Sequence, residues 1–285
     1  MEILRTVAEL RRWSRAARRR AKAHEKSVVG LVPTMGALHA GHASLIRAAA
    51  TSCGHVAVSI FVNPTQFGPN EDYARYPRSF LADCELAAAE GAEAVFAPAV
   101  EEIYPGGATT FVDVEGLSER LDGASRPGHF RGVATVVTKL LIAAEPDRAF
   151  FGQKDAAQIA VLRRMVTDLR IGTEIVVCPI VREADGLAMS SRNAYLNPEE
   201  RKQALTLSRA VRRVEALVKH GERGAEALIA AARVTFAIDP AIRVDYIELV
   251  NWDTLEPVES AAPGSLFAVA AWVGETRLID NAILA

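Results

Sequence analysis

Short apolar runs alternate with longer stretches of helical period along the first 180 positions of the chain. Val28–Val32 is an apolar, β-branched run of strand length that stops at Pro33. From about Gly41 the apolar positions, beginning with Leu45 and Ile46, recur with the spacing of a buried helix face. The pattern predicts a buried strand followed at once by a helix.

The same alternation recurs further along the chain. It predicts strands at His55–Val62, Ala94–Phe96, Arg148–Phe151 and Ile175–Val181, and helices at Asp83–Glu90, Val133–Ala143 and through Val161–Met165. Strands that alternate with helices form a parallel sheet covered on both faces. The expected fold class is therefore α/β, with a Rossmann-like parallel sheet and helices on both faces.

Three other segments in this half interrupt the alternation. Glu2–Lys26 has apolar positions at helical spacing and predicts an amphipathic first helix with a strongly basic face. Thr109–Val114 alternates polar and apolar residues and predicts an added hairpin strand. Ser118–Arg131 contains three turn-forming residues, Gly123, Pro127 and Gly128, and predicts a loop.

Composition changes after Val181, where a polar, glycine-containing link occupies Arg182–Arg192. We therefore expect two domains, residues 1–181 and residues 182–285, the second a small α+β unit that forms a lid. Asn197, Pro198 and Glu200 have the order of a capped helix start. The expected elements are helices at Glu199–Lys219 and Gly224–Phe236 and strands at Arg243–Val250, Leu266–Val273 and Thr276–Ile279, the last two joined by a Gly274-Glu275 turn.

Composition and charge restrict the classes of function. Half of the 285 residues are hydrophobic and the formal net charge is −2, which disfavours a dedicated nucleic-acid binder. The three cysteines lack metal-binding spacing and indicate buried thiols in a reducing cytosol. Because no apolar run approaches the ~18 residues of a membrane span, we expect a cytoplasmic protein without a membrane partner. The basic first helix leaves a transit peptide or a nucleic-acid arm as alternatives to a solvated helix face.

The first strand–helix junction carries the clearest candidate chemistry. Gly36 and Gly41 permit close approach of a ligand to the backbone, and His39 and His42 lie where the helix starts. The first turn of a helix leaves backbone N–H groups unpaired and attracts phosphate. Two imidazoles at such a position can stabilise the charge that develops on phosphate oxygens. A plain structural turn with two surface histidines is the alternative.

Polar clusters also follow the other predicted strands. Asn63 and Gln66 carry amides that can bind a hydroxyl or a carboxylate; ordinary turn chemistry explains an Asn-Pro pair but not Gln66. Lys154 beside Asp155 supplies a cation, or else forms a surface ion pair. The Ser-Ser-Arg run that ends at Arg192 supplies phosphate donors, or else is a plain linker.

The polar clusters together resemble one family. The segments Phe61–Phe67, Gly128–Gly132, Phe151–Asp155 and Met189–Asn193, in this order after the His-x-x-His motif, are similar to those of the pantoate–β-alanine ligases. The motif alone would indicate only the nucleotidyltransferase superfamily. The resemblance implies that pantoate attacks the α-phosphate of ATP, and that the amine of β-alanine then displaces AMP from pantoyl adenylate.

The resemblance also implies roles for individual residues. His42 would be the proton donor, and His39 and Lys154 would act with it on phosphate. The implied ATP-binding residues are Met35, Gly36, Ala37, Leu38, His39, Ala40, Gly41, His42, Gly152, Gln153, Lys154, Asp155, Val181, Met189, Ser190, Ser191 and Arg192. Gln66 and Gln158 would bind pantoate, with Gln66 also near β-alanine, and Asn63 joins them as a substrate-binding residue.

Magnesium and a homodimer are implied as well, with Asp83 at the position of one family metal ligand. The chain departs from the family at several positions, which are Ala40, Ala82, Leu86, Gln153 and Ala156. Ala82 and Leu86 lack the oxygen atoms that some relatives offer beside Asp83. The departures affect the metal assignment and leave the ATP and pantoate assignments intact.

Two other functions stay open at this point. A nucleotidyltransferase that keeps the adenylyl group in its product would share the histidine motif, and fold does not decide between the two. A binding protein that uses its basic first helix on nucleic acid would leave the polar clusters without a purpose. The chain lacks a Gly-Lys-Ser/Thr phosphate loop, which favours attack at the α-phosphate over attack at the terminal phosphate.

Overall fold

A computed structural model describes residues 1–20, 28–69 and 71–285. The strands are β1 Glu2–Leu4, β2 Val29–Thr34, β3 His55–Ile60, β4 Ala94–Phe96, β5 Arg148–Gly152, β6 Glu174–Cys178, β7 Arg243–Asn251, β8 Ser265–Val273 and β9 Thr276–Ile283. The helices are α1 Val7–Arg20, α2 Ala40–Ser52, α3 Phe80–Ala89, α4 Val100–Ile103, α5 Asp122–Ser125, α6 His129–Ala144, α7 Ala156–Asp168, α8 Pro198–Lys219 and α9 Ala225–Phe236.

The first six strands form one sheet in the order β1-β4-β3-β2-β5-β6, and every pair in it is parallel. The predicted α/β class with a Rossmann-like sheet is thereby confirmed. The chain runs from β2 to β3 and β4 in one direction and then returns to place β5 on the other side of β2. The carboxyl ends of β2 and β5 consequently border the switch point, where open α/β sheets bind their ligands.

The centre of the sheet is buried because its strands are apolar throughout. Val29, Leu31 and Val32 of β2 are fully buried, as an all-parallel sheet covered on both faces requires. Helix α2 packs Ile46 and Ala49 into the same core. This packing fixes the β2–α2 junction, which carries the two histidines, on a rigid support.

The prediction of a helix from Glu2 was wrong at its start, because Glu2–Leu4 pairs with β4 as an edge strand. Thr6 and Glu9 then form a capping box, in which the Thr6 Oγ1 accepts from the Glu9 N–H and the Glu9 carboxylate accepts from the Thr6 N–H. The helix therefore begins at Val7. Lys22 and Lys26, at the end of the predicted helix, lie outside the described residues.

The prediction of a hairpin strand at Thr109–Val114 was also wrong, because these residues have no strand structure. The Val112 N–H bonds to the Thr135 Oγ1 of α6 at 2.9 Å instead of to a neighbouring strand. The predicted loop at Ser118–Arg131 contains the short helix α5, and α6 begins at His129, inside the predicted loop.

The second half of the chain forms an antiparallel sheet, β7-β8-β9, with α8 and α9. Asn197 caps α8 through a capping box with Glu200, as predicted. Val273 pairs with Thr276 across a two-residue turn whose first residue, Gly274, has φ +55°. The buried face combines both helices and the sheet, including Val211, Val214, Leu228, Phe267 and Val269.

The chain divides into two compact units. The first comprises residues 1–152 and 161–178, and the second comprises residues 153–160 and 179–285. Residues 153–160 are joined to the second unit by a hydrogen bond from the Trp252 Nε1 to the Ala156 carbonyl, 3.0 Å long. Within the described part of the chain, every helix is too short or too polar to cross a lipid bilayer.

Candidate active site

A tight loop of Met35–Leu38 joins β2 to α2 at the switch point of the first unit. Gly36 has φ +82°, and Ala37 has φ +50°, a left-handed conformation that a side chain disfavours. The Asp83 carboxylate accepts hydrogen bonds from the N–H groups of Ala37 and Leu38 at 2.9 and 2.8 Å. These bonds hold the loop in its strained course.

His39 and His42 cap the helix that follows. His39 is the N-cap residue of α2, and its Nδ1 accepts a hydrogen bond from the Gly41 N–H at 3.1 Å. The His42 Nδ1 accepts from the His39 N–H at 3.3 Å, so the two side chains form a capping box made of imidazoles. Their ring centroids are 4.1 Å apart.

Capping assigns the tautomer of both rings. A ring nitrogen that accepts an N–H bond carries no proton, so each neutral imidazole holds its proton on Nε2 and donates from that atom. The family resemblance implies that Ala37, Leu38, His39 and Gly41 bind ATP, and the backbone N–H groups of these residues are bonded within the chain. The donors that this junction can direct at an anion therefore include the imidazole Nε2–H groups.

Asn63 and Gln66 occupy a 3₁₀ turn directly after β3. The Asn63 Nδ2 donates to the Gln66 Oε1 at 3.0 Å and to the Gly132 carbonyl at 3.2 Å. The Asn63 Oδ1 accepts from the hydroxyls of Thr65 and Tyr104. Because Asn63 is only 1% exposed and bonded on both sides of its amide, it fixes the side chain of the half-buried Gln66.

The backbone of Gln66 is held by a second set of residues. The Gln66 carbonyl accepts from the His129 Nδ1 at 2.9 Å and from the Arg126 Nη2 at 3.3 Å. Arg126 also forms a two-point ion pair with Glu71 and contacts the His129 Nε2 at 3.0 Å. From the sequence, Arg126 and His129 fall in the predicted loop at Ser118–Arg131 without an assigned role, and no short motif marks Glu71.

The environment of His129 keeps its ring neutral. Desolvation by burial, with the nearby positive charge of Arg126, lowers the pKa of His129 from 6.5 to about 4. The neutral ring donates from Nδ1 to the Gln66 carbonyl and accepts from Arg126 at Nε2. This tautomer is the opposite of the one assigned to His39 and His42.

The second unit holds the other polar cluster, beginning with Gln153, Lys154 and Asp155. The Asn281 Nδ2 donates to the carbonyls of Gln153 and Lys154 at 3.1 and 2.9 Å, and Gln153 donates back to the Asn281 Oδ1. Lys154 and Asp155 form an ion pair of 3.4 Å, in which the Lys154 side chain is 22% exposed. Gln158 follows on α7 and is half-buried.

The segment from Val181 to Met189 folds back on itself within the second unit. The Met189 N–H donates to the Val181 carbonyl at 2.9 Å, which places these two predicted ATP residues side by side. Arg182 anchors the segment through two bonds to Asp280, whose side chain is 1% exposed. Ser190, Ser191 and Arg192 follow the anchored hairpin and are half-buried.

The structure therefore gathers the predicted residues into two sets. The first unit brings together the β2–α2 junction, Asn63, Gln66 and Asp83, and β5 of that unit ends at Gly152. The second unit contains the remaining predicted residues, which are Gln153, Lys154, Asp155, Gln158, Val181, Met189, Ser190, Ser191 and Arg192. Over residues 1–20, 28–69 and 71–285, no group of three or more His, Cys, Asp or Glu side chains is arranged to hold a metal ion.

Comparison with known proteins identifies the family of the chain. The model of the Pantoate-beta-alanine ligase family matches residues 2–283. The chain belongs to the pantoate–β-alanine ligase family. The match spans both units and includes every predicted site residue.

Individual relatives agree with the family assignment. The chain is 60% identical to the pantothenate synthetase of Acidobacterium capsulatum, over 98% of this chain and 95% of the relative. It is similar to the crystal structure of pantothenate synthetase from Thermus thermophilus, with a TM-score of 0.91, 45% identity and 99% coverage of both chains. A pantoate–β-alanine ligase from Francisella tularensis, solved with beta-gamma ATP and beta-alanine, has a TM-score of 0.78 and 33% identity, over 99% of this chain and 97% of the other.

The lowered pKa of His129 predicts a pH-dependent stability. Between pH 6.5 and 4 the unfolded chain binds a proton at His129 that the folded chain does not, so stability is lost as the pH falls through this window. Between pH 7 and pH 4.5, the unfolding free energy of His129→Gln should fall less than that of the wild type, by a difference on the order of 2 kcal/mol. Urea unfolding at the two pH values measures it, with His220→Gln, an exposed histidine at the end of α8, as the control. Equal pH dependence in the wild type and His129→Gln would contradict the assignment.

Proposed function

We propose that the chain condenses pantoate with β-alanine to pantothenate through a pantoyl adenylate, with release of pyrophosphate and AMP. The observation that carries the proposal is the imidazole pair at the start of α2. A carboxylate becomes a good acyl donor only when its oxygen bears a leaving group, and adenylation supplies one. The charge that develops in this step lies on phosphate oxygens, and Nε2–H donors held in place beforehand can stabilise it.

In the first step, the pantoate carboxylate attacks the α-phosphorus and pyrophosphate departs. The tautomer set by the helix cap supports a role for His39 and His42 as hydrogen-bond donors to the phosphate oxygens in this step. Lys154 and Arg192 add positive charge, and the hydroxyls of Ser190 and Ser191 add donors.

Gln66 is proposed to hold pantoate, together with Gln158. A neutral amide donates to a carboxylate and accepts from a hydroxyl, and pantoate carries both groups. The proposal for Gln66 is supported by the double restraint on this residue, through Asn63 at its side chain and through Arg126 and His129 at its carbonyl. Restraint of this kind keeps the attacking carboxylate in line with the α-phosphorus.

In the second step, the amine of β-alanine attacks the pantoyl carbonyl and AMP leaves. An acyl adenylate hydrolyses readily, so the site must exclude water while the intermediate exists. We propose that Arg182–Arg192, in the second unit, closes over the nucleotide as a lid. The anchor of Arg182 to Asp280 supports a closure at the tip, Met189–Arg192, over movement of the whole segment.

The remaining parts of the proposal come from the resemblance to the family. Mg²⁺ enters as the ion that accompanies the phosphates of ATP and prefers oxygen ligands. A homodimeric assembly and a cytoplasmic location complete it. Nucleic acid and membrane are not proposed as partners, in keeping with a net charge of −2 and with helices that are too short or too polar to span a bilayer in the described part of the chain.

Isotope transfer tests the reaction. With pantoate labelled by ¹⁸O in its carboxylate, attack at the α-phosphorus should pass one labelled oxygen to AMP, and AMP should accumulate steadily only when β-alanine is present. Mass spectrometry of the nucleotide products measures both. Label in inorganic phosphate with ADP as co-product would contradict the adenylate, and an adenylyl group retained in the final product would favour the rival nucleotidyltransferase.

A matched pair of variants tests the imidazole of His42. His42→Ala removes both the cap and the donor and should lower kcat on the order of 10²-fold, as for loss of a transition-state donor. His42→Gln can keep the capping bond with its amide oxygen, since glutamine is favoured at this position of a capping box. It should retain the unfolding free energy of the wild type and still lose at least about tenfold in kcat. Near-normal turnover in His42→Ala would contradict the role.

A further inference from the structure

The resemblance to the family implies a metal ligand at Asp83, yet the surroundings of this residue do not fit one. The side chain is 2% exposed, and the Oδ1 accepts from the Leu38 N–H and the Ser79 hydroxyl while the Oδ2 accepts from the Ala37 N–H. Mg²⁺ requires a near-octahedral shell of oxygens and keeps several waters. A carboxylate that is this deeply buried, and that already accepts three hydrogen bonds with its roughly four lone pairs, lacks the space for the waters of that shell.

The residues that flank Asp83 on α3 supply no further metal ligand. Ala82 and Leu86, which flank it on α3, have no side-chain oxygen. Among the residues that the structure describes, no three His, Cys, Asp or Glu side chains are grouped to hold an ion. The carboxylate instead lies in the first turn of α3, where the helix dipole stabilises a negative charge.

The loop that Asp83 binds has a conformation that needs an anchor. Ala37 adopts φ +50°, which a non-glycine residue disfavours. A Cβ built on Gly36 would lie 3.0 Å from the Asp83 Oδ2, so the loop and the carboxylate are in close contact. Two charge-assisted N–H bonds from successive residues offset the strain and determine where the chain enters α2.

The position of this entry determines the position of the histidines. The His39 N–H, next in the chain after Leu38, donates to the His42 Nδ1, and His39 itself caps the helix. We propose that Asp83 is a positioning residue for the imidazole pair and not a metal ligand. The consequence for turnover rests on the proposed role of the pair in binding ATP, whereas the anchoring of the loop does not.

Asp83→Asn tests the proposal because it preserves size but replaces one acceptor oxygen with a donor that faces an N–H group. The protection of the Ala37 and Leu38 amides against hydrogen exchange should fall on the order of 10- to 100-fold, as for loss of a charged partner. The kcat/KM for ATP should fall over the same range, with the half-saturating Mg²⁺ concentration unchanged within about twofold. Ser79→Ala, which leaves both N–H bonds, is the matched control and should change kcat/KM less than Asp83→Asn does.

A metal-ligand role gives the opposite result. Asp83→Asn would then raise the half-saturating Mg²⁺ concentration at least about tenfold, excess Mg²⁺ would restore the rate, and the two amides would exchange as in the wild type. That outcome would overturn the proposal. Loss of amide protection without loss of turnover would retain the anchor and contradict the proposed role of the histidines in ATP chemistry.

The wild type supplies a test that does not depend on the folding of a variant. In the presence of a chelator and without ATP, the Ala37 and Leu38 amides should already be protected, because their acceptor is a side chain of the protein. Addition of Mg²⁺ alone should leave their exchange rates unchanged. Exchange at the rate of an exposed loop, or a change of more than about tenfold on addition of Mg²⁺, would overturn the proposal.

Discussion

The first turn of a helix must find acceptors for its backbone N–H groups, and this requirement organises the site of the first unit. In most helices a serine, threonine or aspartate supplies the acceptor. Here His39 and His42 supply it, and Asp83 bonds the two N–H groups that precede them. The interaction that completes the helix therefore also orients the candidate catalytic rings and selects their tautomer.

The same principle governs the segment proposed to hold pantoate. Buried polar groups need hydrogen-bond partners, and the partners of Gln66 restrain it at two different groups. Asn63 bonds its side chain, and the Arg126–His129 pair bonds its carbonyl. Because Arg126 is itself paired with Glu71, the restraint extends to the loop after Gln66. Positioning and folding are thus performed by the same hydrogen bonds.

The order of strands and helices was largely predictable from the apolar pattern. A parallel sheet buries both faces of its strands, so each strand is a continuous apolar run that differs from the spacing of a helix. The start of α1 is encoded locally, because Thr6 and Glu9 have the spacing of a capping box. The lack of strand structure at Thr109–Val114 was not predictable, since alternating residues form a strand only where a neighbouring edge is available to pair with it.

The sequence predicts which types of residue form the candidate site, but not which of these residues bond to one another. The motifs located the histidines, Gln66 and Lys154, but no spacing in the sequence indicates that Asp83 bonds the Ala37 and Leu38 amides. The pairing of His129 with the Gln66 carbonyl joins residues 63 positions apart. Such contacts depend on tertiary packing, which local pattern does not encode.

The helix cap holds both imidazoles with their proton on Nε2. Long-range ¹H–¹⁵N correlation spectra of the histidine side chains measure the tautomer directly in the ligand-free protein. We expect a protonated Nε2 and an unprotonated Nδ1 for His39 and His42, and the reverse for His129, which donates from its Nδ1. A proton on the Nδ1 of His39 or His42 would contradict this capping role, because that nitrogen could no longer accept the N–H bond that caps the helix.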